Sequence, residues 1–437
     1  MNISQLPLEL IDEILKHLDS ISLVKSREVC RSWRALHFQR KYNLVWRCLC
    51  LRDIDWDILI EITGKRVVVG CEDPDSSYKN KKHASLMVDS VDWAAVYREW
   101  FRSRHIGKWP SMACEFNCHR GAVWDIKYSG DRLVTCGEDG TIRIWDSWTG
   151  HCVRSITAHQ RAVLSISLRQ ALGSSPHADM PHDLMVSGSK DCSVKVWELN
   201  IPGPALVTLH GHVACVNCVA VESNLAASAS DDGSIRVWDI TTGQCCHELS
   251  NLGEWVKYVR FWTQETLLFV TDNCKSVLWS VKGWRPLSSV QLSDTTTQGS
   301  SSPLNPGVQG AVLRGQTSLV LTHSYGLFSW ENQSDSSFIH NFSLIGEHTQ
   351  NVQRGECLAM HGALVAIGTR SGAVFVYHLN GKWKDQFSKV HCVLHTSQSP
   401  VNAVAIADDG EGPVLATGGD NGIVKVLRWF PPSIQND

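Results

Sequence analysis

The stretches CGEDGTIRIWD (Cys136–Asp146), SGSKDCSVKVWE (Ser187–Glu198) and SASDDGSIRVWD (Ser228–Asp239) repeat one pattern. Each passes through an Asp-containing turn and ends in alternating β-branched residues and a Trp. Such turns between alternating apolar runs are typical of β-hairpins. Because the hairpin recurs at a regular period, the sequence predicts a β-propeller. Propellers hold other molecules, so a binding protein is expected before a catalyst.

The Trp that ends the pattern marks the period. The marker positions are Trp145, Trp197, Trp238, Trp279, Trp330, Tyr377 and Leu427. They lie 41 to 52 residues apart, which is about the 40 to 45 residues of one blade plus loop insertions. The sequence therefore predicts a mainly β chain with a seven-bladed propeller over residues 111–430. Six or eight blades remain alternatives, because the last three matches are degenerate.

A propeller must also close its ring, since an unpaired outer strand exposes a sheet edge. The short alternating run Met112–Phe116 precedes the first repeat in the way that Cys152–Ile156 precedes the second. We expect residues 112–116 to form the outer strand of the last blade, supplied from the N-terminal side.

Over residues 112 to 430 the chain resembles the WD-repeat family. In that family a His, a Ser or Thr, an Asp and the Trp form a buried hydrogen-bonded relay in each blade. The resemblance assigns the relay to His119, Thr135, Asp139 and Trp145, to His159, Ser187, Asp191 and Trp197, and to His212, Ser228, Asp232 and Trp238. The same residue types make hydrolase triads, but their threefold recurrence at repeat spacing favours a structural role.

The later blades depart from this pattern. Blade four has Phe269 and Asn273 where the hydroxyl and the carboxylate are expected, and blade six has Ile367 and Ser371. Blade seven ends its strand in Leu427 rather than in Trp. We expect these blades to depend more on apolar packing.

Residues 1–50 belong to a different class. Leu10, Ile14 and Leu18 follow helical spacing, and Pro7 suits a first helical turn. So short a unit is marginal as an isolated core, and a partner surface is therefore expected.

This segment resembles an F-box. The matching residues are Leu6, Pro7, Glu9, Leu10, Ile14, Leu18, Val29, Cys30, Arg31 and Trp33. The resemblance implies docking on a Skp-type adaptor through Leu6, Pro7, Leu10, Ile14, Leu18, Val29, Cys30 and Trp33. An ordinary helical cap is the alternative interpretation.

An F-box followed by WD repeats resembles the substrate receptors of SCF (Skp, cullin and F-box) ubiquitin ligases. The resemblance implies that the F-box binds the Skp-type adaptor of a cullin complex while the propeller holds a protein for ubiquitination and proteasomal degradation. Such a chain is a non-catalytic adaptor. The alternative is a WD-repeat scaffold protein outside any ligase.

Residues 51–110 are predicted to link the two units, and residues 431–437 to form a tail. Within residues 91–101, Trp93, Val96, Tyr97 and Trp100 fall on one helical face. An aromatic helix favours a rigid linker over a flexible one.

The predicted binding face carries the loops before each first strand and the turns after each second strand. The candidate substrate-binding residues there are Arg120, Arg161, Trp255, Arg354 and Arg370. Arginines around a central channel would suit a phosphorylated or acidic segment, because guanidinium pairs bidentately with phosphate. Solvated loop charges are the alternative.

Composition narrows the class of protein. A net charge of -3 shows no excess of basic residues, so nucleic acid is not expected as a main partner. No apolar run suggests a membrane partner, and we expect a soluble, intracellular protein of the cytoplasm or nucleus. The 16 Cys are expected to be reduced thiols, including the Cys215 and Cys218 pair. No cofactor or metal is expected.

Overall fold

The computed structural model describes residues 40–54, 58–59, 62, 91–169, 183–250, 252–263, 265–291, 308–314, 317–322, 326–333, 336–343, 355–379, 387–395, 399–409 and 411–430. In these ranges the chain is mainly β, preceded by a short helical region. The helices are α1 (Arg40–Asp53), α2 (Trp93–His105) and a 3-10 turn (Ile106–Lys108). Neither α-helix has the length and apolar character that a membrane crossing requires.

The strands of these ranges form seven four-stranded antiparallel sheets, numbered here by their first strands in chain order. Sheet one contains β2 (Val123–Ser129), β3 (Arg132–Gly137), β4 (Thr141–Asp146) and β5 (Cys152–Thr157). Sheet two contains β6 (Val163–Arg169), β7 (Leu184–Ser189), β8 (Val194–Glu198) and β9 (Val207–Leu209). Sheet three contains β10 (Val216–Glu222), β11 (Leu225–Ser230), β12 (Ile235–Asp239) and β13 (Cys245–Leu249).

The remaining sheets follow the same order. Sheet four contains β14 (Val256–Thr263), β15 (Thr266–Thr271), β16 (Lys275–Ser280) and β17 (Arg285–Gln291). Sheet five contains β18 (Val308–Arg314), β19 (Thr317–Thr322), β20 (Gly326–Gln333) and β21 (Ser336–Ser343). Sheet six contains β22 (Gly355–His361), β23 (Leu364–Thr369), β24 (Ala373–Leu379) and β25 (Phe387–His395). Sheet seven contains β26 (Val401–Asp408), β27 (Pro413–Gly419), β28 (Ile423–Trp429) and β1 (Ser111–Asn117).

The sheets are arranged around an axis. The first strand of each sheet packs against the first strand of the next, and β26 of sheet seven packs against β2 of sheet one. This is the arrangement of a β-propeller. Every marker position of the sequence repeat, from Trp145 to Leu427, lies on the third strand of its sheet.

The outer strand of sheet seven comes from the N-terminal side of the propeller. β1 pairs antiparallel with β28 in continuous register, from Ser111 opposite Trp429 to Asn117 opposite Ile423. The prediction for residues 112–116 is confirmed. The pairing covers an edge that would otherwise expose unpaired backbone groups.

The helical region has its own apolar core. The Trp46 and Tyr97 rings lie 5.2 Å apart and join α1 to α2, and the side chain of Asp92 caps the start of α2. The residues that the spacing placed on one face of α2 are all buried, and the core includes Ala363 between β22 and β23.

Polar contacts also attach α2 to the propeller. Glu99 Oε1 lies 2.8 Å from His361 Nε2 at the end of β22, and Arg102 Nη1 lies 3.3 Å from Asp408 Oδ1 at the end of β26. Both contacts are at the end where the first strands run into the second strands. We call this the linker end and the opposite one the open end.

Candidate binding site

The relay of sheet one is a continuous chain of hydrogen bonds. His119 Nδ1 lies 2.9 Å from Asp139 Oδ1, and its Nε2 lies 2.9 Å from Thr135 Oγ1. Trp145 Nε1 donates to the same hydroxyl over 3.0 Å. The structure thus brings together side chains from the loop before the first strand, from β3, from the turn after β3 and from β4.

Sheets two and three repeat this geometry. The imidazole-to-carboxylate distance is 2.9 Å in both, and the imidazole-to-hydroxyl distances are 2.8 and 2.7 Å. The Trp Nε1 donates to the hydroxyl over 2.9 Å in both. The residues are His159, Ser187, Asp191 and Trp197 in sheet two, and His212, Ser228, Asp232 and Trp238 in sheet three.

Burial determines the protonation states of the relay. Burial lowers the pKa of His119 and outweighs the opposing effect of Asp139, so the imidazole is neutral near pH 7. Burial alone would raise the pKa of Asp139, but hydrogen bonds from Thr141, His119 and the Arg120 N–H lower it to about 2. A neutral imidazole donates to the carboxylate and accepts from the hydroxyl, which satisfies every group.

The relay hydroxyls do not face solvent. Thr135, Ser187 and Ser228 are each 0% exposed. A hydroxyl that no substrate can reach is not a nucleophile, so the geometry supports the structural role of the relay.

Sheet four shows the consequence of losing the hydroxyl. Phe269 occupies the position of Thr135, and its ring centre lies 6.4 Å from that of Trp279. Trp279 Nε1 is buried without a hydrogen-bond partner in the described part of the chain. Apolar packing replaces the relay here, because Phe269 belongs to the core formed by sheets three and four.

Four predicted substrate-binding residues lie at the open end. Arg120, Arg161 and Arg370 are exposed, and Trp255 is 56% exposed. None of these four borders the central cavity described below, and their role in substrate binding stays a prediction. Arg354 and the F-box residues Leu6, Pro7, Leu10, Ile14, Leu18, Val29, Cys30 and Trp33 lie outside the described residues.

Trp255 belongs to a polar cluster that its sequence pattern did not predict. Lys257 Nζ lies 4.9 Å from the centre of the Trp255 ring and 3.0 Å from Asp231 Oδ1. A related cluster joins Lys190 to the Trp124 ring at 5.1 Å and to Glu138 at 3.4 Å. The available signal was a Trp next to the start of a first strand, as at Trp124 and Trp255.

A cavity of about 620 Å³ runs between the first strands of all seven sheets. Its described lining includes Asp125, Lys127 and Arg260. These residues are not among the sequence-based candidates, which lie in loops and turns, because they occupy first strands whose side chains face the axis. A charged residue inside an otherwise apolar strand was the available signal.

No group of three or more metal-ligating side chains occurs among the described residues. The described cysteines, including Cys215 and Cys218, are free thiols. Cys218 Sγ lies within the core, 3.5 Å from the Val259 carbonyl.

Comparisons with protein families agree with this geometry. The family model of the F-box domain matches residues 3–36. The model of the WD domain, G-beta repeat, matches residues 111–146, 150–198, 203–239 and 388–427. Three of these matches cover the three complete relays.

The chain is also similar to several curated proteins. It is 32% identical over 170 residues to WD repeat-containing protein pop1 of Schizosaccharomyces pombe, which covers 30% of this chain and 22% of the relative. It is 26% identical over 271 residues to nuclear distribution protein nudF of Aspergillus niger, covering 57% and 54%. With apoptotic protease-activating factor 1 of Rattus norvegicus it shares 35% identity over 132 residues, covering 30% and 10%.

The chain therefore spans between 10% and 54% of the length of these relatives. The matches show shared repeats rather than shared whole proteins. With an F-box domain at residues 3–36 and WD repeats from residue 111 onward, the chain is an F-box and WD-repeat protein.

Proposed function

We propose that this chain is the substrate-recognition subunit of an SCF-type E3 ubiquitin ligase. The F-box would bind a Skp-type adaptor, and through it a cullin, while the propeller holds the protein to be ubiquitinated and degraded. The observation that carries the proposal is one chain with an F-box domain at residues 3–36 and WD repeats from residue 111.

The attachment of α2 to the propeller supports the separate roles of the F-box and the propeller. The helix contacts the linker end through Glu99 and Arg102, whereas Trp255, Arg120, Arg161 and Arg370 lie at the open end. A target on the open end would be held at a fixed distance from the adaptor. Proximity and orientation raise the effective concentration of a target lysine. The chain itself would catalyse nothing and would act in the cytoplasm or nucleus.

The proposal includes a modular division of the chain. We assign residues 1–50 to the F-box module, 51–110 to the linker, 111–430 to a closed seven-bladed propeller and 431–437 to a tail. The contact between β26 and β2 and the pairing of β1 with β28 support ring closure.

The adaptor interface is tested directly with purified proteins. Leu10→Asp combined with Ile14→Asp should abolish binding of a Skp-type adaptor, because each change places a charge on an apolar docking face. Trp255→Ala is the matched control, since it alters an exposed side chain of the propeller. Thermal unfolding of the propeller should not change in either variant. Adaptor binding that survives both Asp substitutions would contradict the assignment.

Target binding is proposed for the open end, through Arg120, Arg161, Arg370 and Trp255, with a phosphorylated or acidic segment as the ligand. Co-purification from lysate with Trp255→Ala and Arg161→Ala variants should lose the target but retain the adaptor. Phosphatase treatment of the lysate separates a phosphorylated segment from an acidic one. Recovery of partners without adaptor or cullin would instead favour a WD-repeat scaffold.

A further inference from the structure

The wall of the central cavity changes character around the axis. On the side of sheets one to four the described lining includes Trp124, Ile126 and Leu164 but also a group of polar residues: Asp125, Lys127, Ser165, Asn217, Tyr258 and Arg260. On the side of sheets five to seven it is largely small and apolar: Ala311, Val312, Leu358, Ala359, Ala403 and Ala405. The volume of about 620 Å³ is that of small-molecule sites, which hold about 300–1,000 Å³.

The guanidinium of Arg260 forms no ion pair with a carboxylate of the described residues. Its Nη1 donates to the carbonyls of Val219 over 2.9 Å and of Val259 over 3.4 Å, and lies 3.4 Å from Cys218 Sγ. No carboxylate of the described residues lies within 4 Å of it. Neutral acceptors alone leave the charge of a partly buried guanidinium uncompensated.

The neighbouring carboxylate is already engaged. Asp125 Oδ1 lies 2.6 Å from Lys127 Nζ and also accepts from the Ile126 N–H. Its Oδ2 accepts from the Ile166 N–H and from Ser165 Oγ. Asp125 thus pairs directly with Lys127 and joins β2 to β6, and it acts on Arg260 only from a longer distance.

The other ionisable groups at the cavity also have partners. Asp408 lies 3.3 Å from Arg102, and His361 lies 2.8 Å from Glu99. Within the described lining, the charge of Arg260 is therefore the one without an ion-pair partner within 4 Å. An anionic ligand would offset it.

Lys127 and Arg260 share one part of the cavity. A neighbouring pocket of about 420 Å³ shares Lys127, Tyr128 and Arg260 with the cavity and is also lined by Ser167 and Leu168. The strands β2, β14 and β22 each have a register irregularity near their start. Lys127, Arg260 and Ala359 occupy the same position after this irregularity, one on each strand. Ala359 is thus the apolar counterpart of the two cations.

We propose that the central cavity binds a small organic anion, a carboxylate on an apolar body. The carboxylate contacts Arg260 beside Lys127, since guanidinium and carboxylate form charge-assisted hydrogen bonds. The apolar body packs against the wall of sheets five to seven. The site is separate from the open end and does not depend on the F-box.

The probe is para-trifluoromethylbenzoate, with para-trifluoromethylbenzamide as its neutral counterpart, added to the full chain and followed by fluorine NMR. The benzoate should bind at least about tenfold more tightly than the benzamide, because a hydrogen bond to a charged group is stronger. Arg260→Met should remove this preference. Arg285→Met, at an exposed position of β17, is the matched control and should retain it.

Ala359→Phe tests the apolar wall independently of Arg260. It should weaken the binding of both probes by a similar factor while the preference for benzoate remains. Equal binding of the two probes to the unaltered chain, no binding of either, or unchanged benzoate binding by Ala359→Phe would each overturn the proposal. Inorganic phosphate should displace the benzoate but not the benzamide, because the apolar wall alone holds the benzamide. Displacement of both probes by phosphate would therefore also contradict the proposal.

Discussion

Arg428 Nε lies 3.0 Å from Asp409 Oδ2, and the two side chains are 4% and 6% exposed. The same guanidinium donates from Nη2 to Ser147 Oγ over 2.8 Å and lies 4.1 Å from the centre of the Trp148 ring. Arg428 and Asp409 belong to sheet seven, whereas Ser147 and Trp148 follow β4 of sheet one. The ion pair lies within sheet seven, and the contacts of the same guanidinium with Ser147 and Trp148 join the last sheet to the first at the point where the ring closes.

Arg428→Met should lower the free energy of unfolding by about 3–5 kcal/mol, because it leaves the Asp409 carboxylate buried and unpaired. Urea unfolding followed by Trp fluorescence measures the change. Lys282→Met is the control, since the Lys282 and Glu265 pair is 78% and 67% exposed and is worth about 0–1 kcal/mol. Equal losses of unfolding free energy in the two variants would show that the Arg428 and Asp409 pair stabilises the propeller no more than an exposed pair does.

Thr135→Val should destabilise the propeller by about 1–3 kcal/mol. The methyl group fills the space of the hydroxyl but can neither donate to His119 nor accept from Trp145. Thr157→Val, at an exposed position of β5, should change the free energy of unfolding by less than about 0.5 kcal/mol. Urea unfolding measures both changes. Equal unfolding midpoints for Thr135→Val and Thr157→Val would show that the Thr135 hydroxyl does not stabilise the propeller.

The two tryptophans Trp145 and Trp279 should respond differently to replacement by Phe. Trp145 Nε1 donates to Thr135, whereas Trp279 Nε1 has no partner within the described ranges. Both variants lose a similar ring volume, so the volume effect largely cancels. Trp145→Phe should cost about 0.5–1.5 kcal/mol more than Trp279→Phe, measured as the difference in unfolding free energy. A larger loss for Trp279→Phe would contradict the broken relay of sheet four.

The sequence predicted the repeated elements well because their residues are fixed by local chemistry. Trp145, Trp197 and Trp238 mark third strands, and residues 112–116 could be assigned to the last sheet because an open edge is unfavourable. Arg260 could not be found in this way. Its importance depends on which strands surround the axis and on which carboxylates are already paired, and neither is visible in one repeat.

The stability of the propeller should fall as the pH decreases from 7 to 5. Burial lowers the pKa of His119, His159 and His212 below the ordinary value of 6.5, so the unfolded chain binds these protons first. The stabilisation is fully present above pH 6.5 and is lost on acidification, by up to about 1.4 kcal/mol per pH unit for each proton. The relay carboxylates, with a pKa of about 2, extend the loss below pH 4.

His119→Gln should make the dependence of unfolding free energy on pH less steep between pH 7 and 5, because one group no longer takes up a proton. His151→Gln, at an exposed position, serves as the control and should leave the slope unchanged. Urea unfolding at a series of pH values measures both slopes. A parallel pH profile for His119→Gln and the unaltered protein would rule out the relay histidine as the origin.

Gly362 controls how closely the helical region sits against the linker end. It has φ of +55°, and a Cβ there would lie 3.2 Å from Ile62 Cγ1 and 3.9 Å from Glu99 Oε1. Gly130 has φ of +60° with no atom within 4 Å of such a Cβ, so it carries the same backbone strain without the contact. Gly362→Val and Gly130→Val should therefore share a cost of about 1–2 kcal/mol from the left-handed backbone.

Only Gly362→Val should also push Ile62 and Glu99 away from the propeller. Hydrogen exchange of the α2 amides should become faster in Gly362→Val than in Gly130→Val, because the contact of Glu99 with His361 would be lost while the helix core remains. Equal exchange rates in the two variants would mean that α2 is held by its own core with α1 rather than by the propeller. In that case the linker would not fix the open end relative to the F-box.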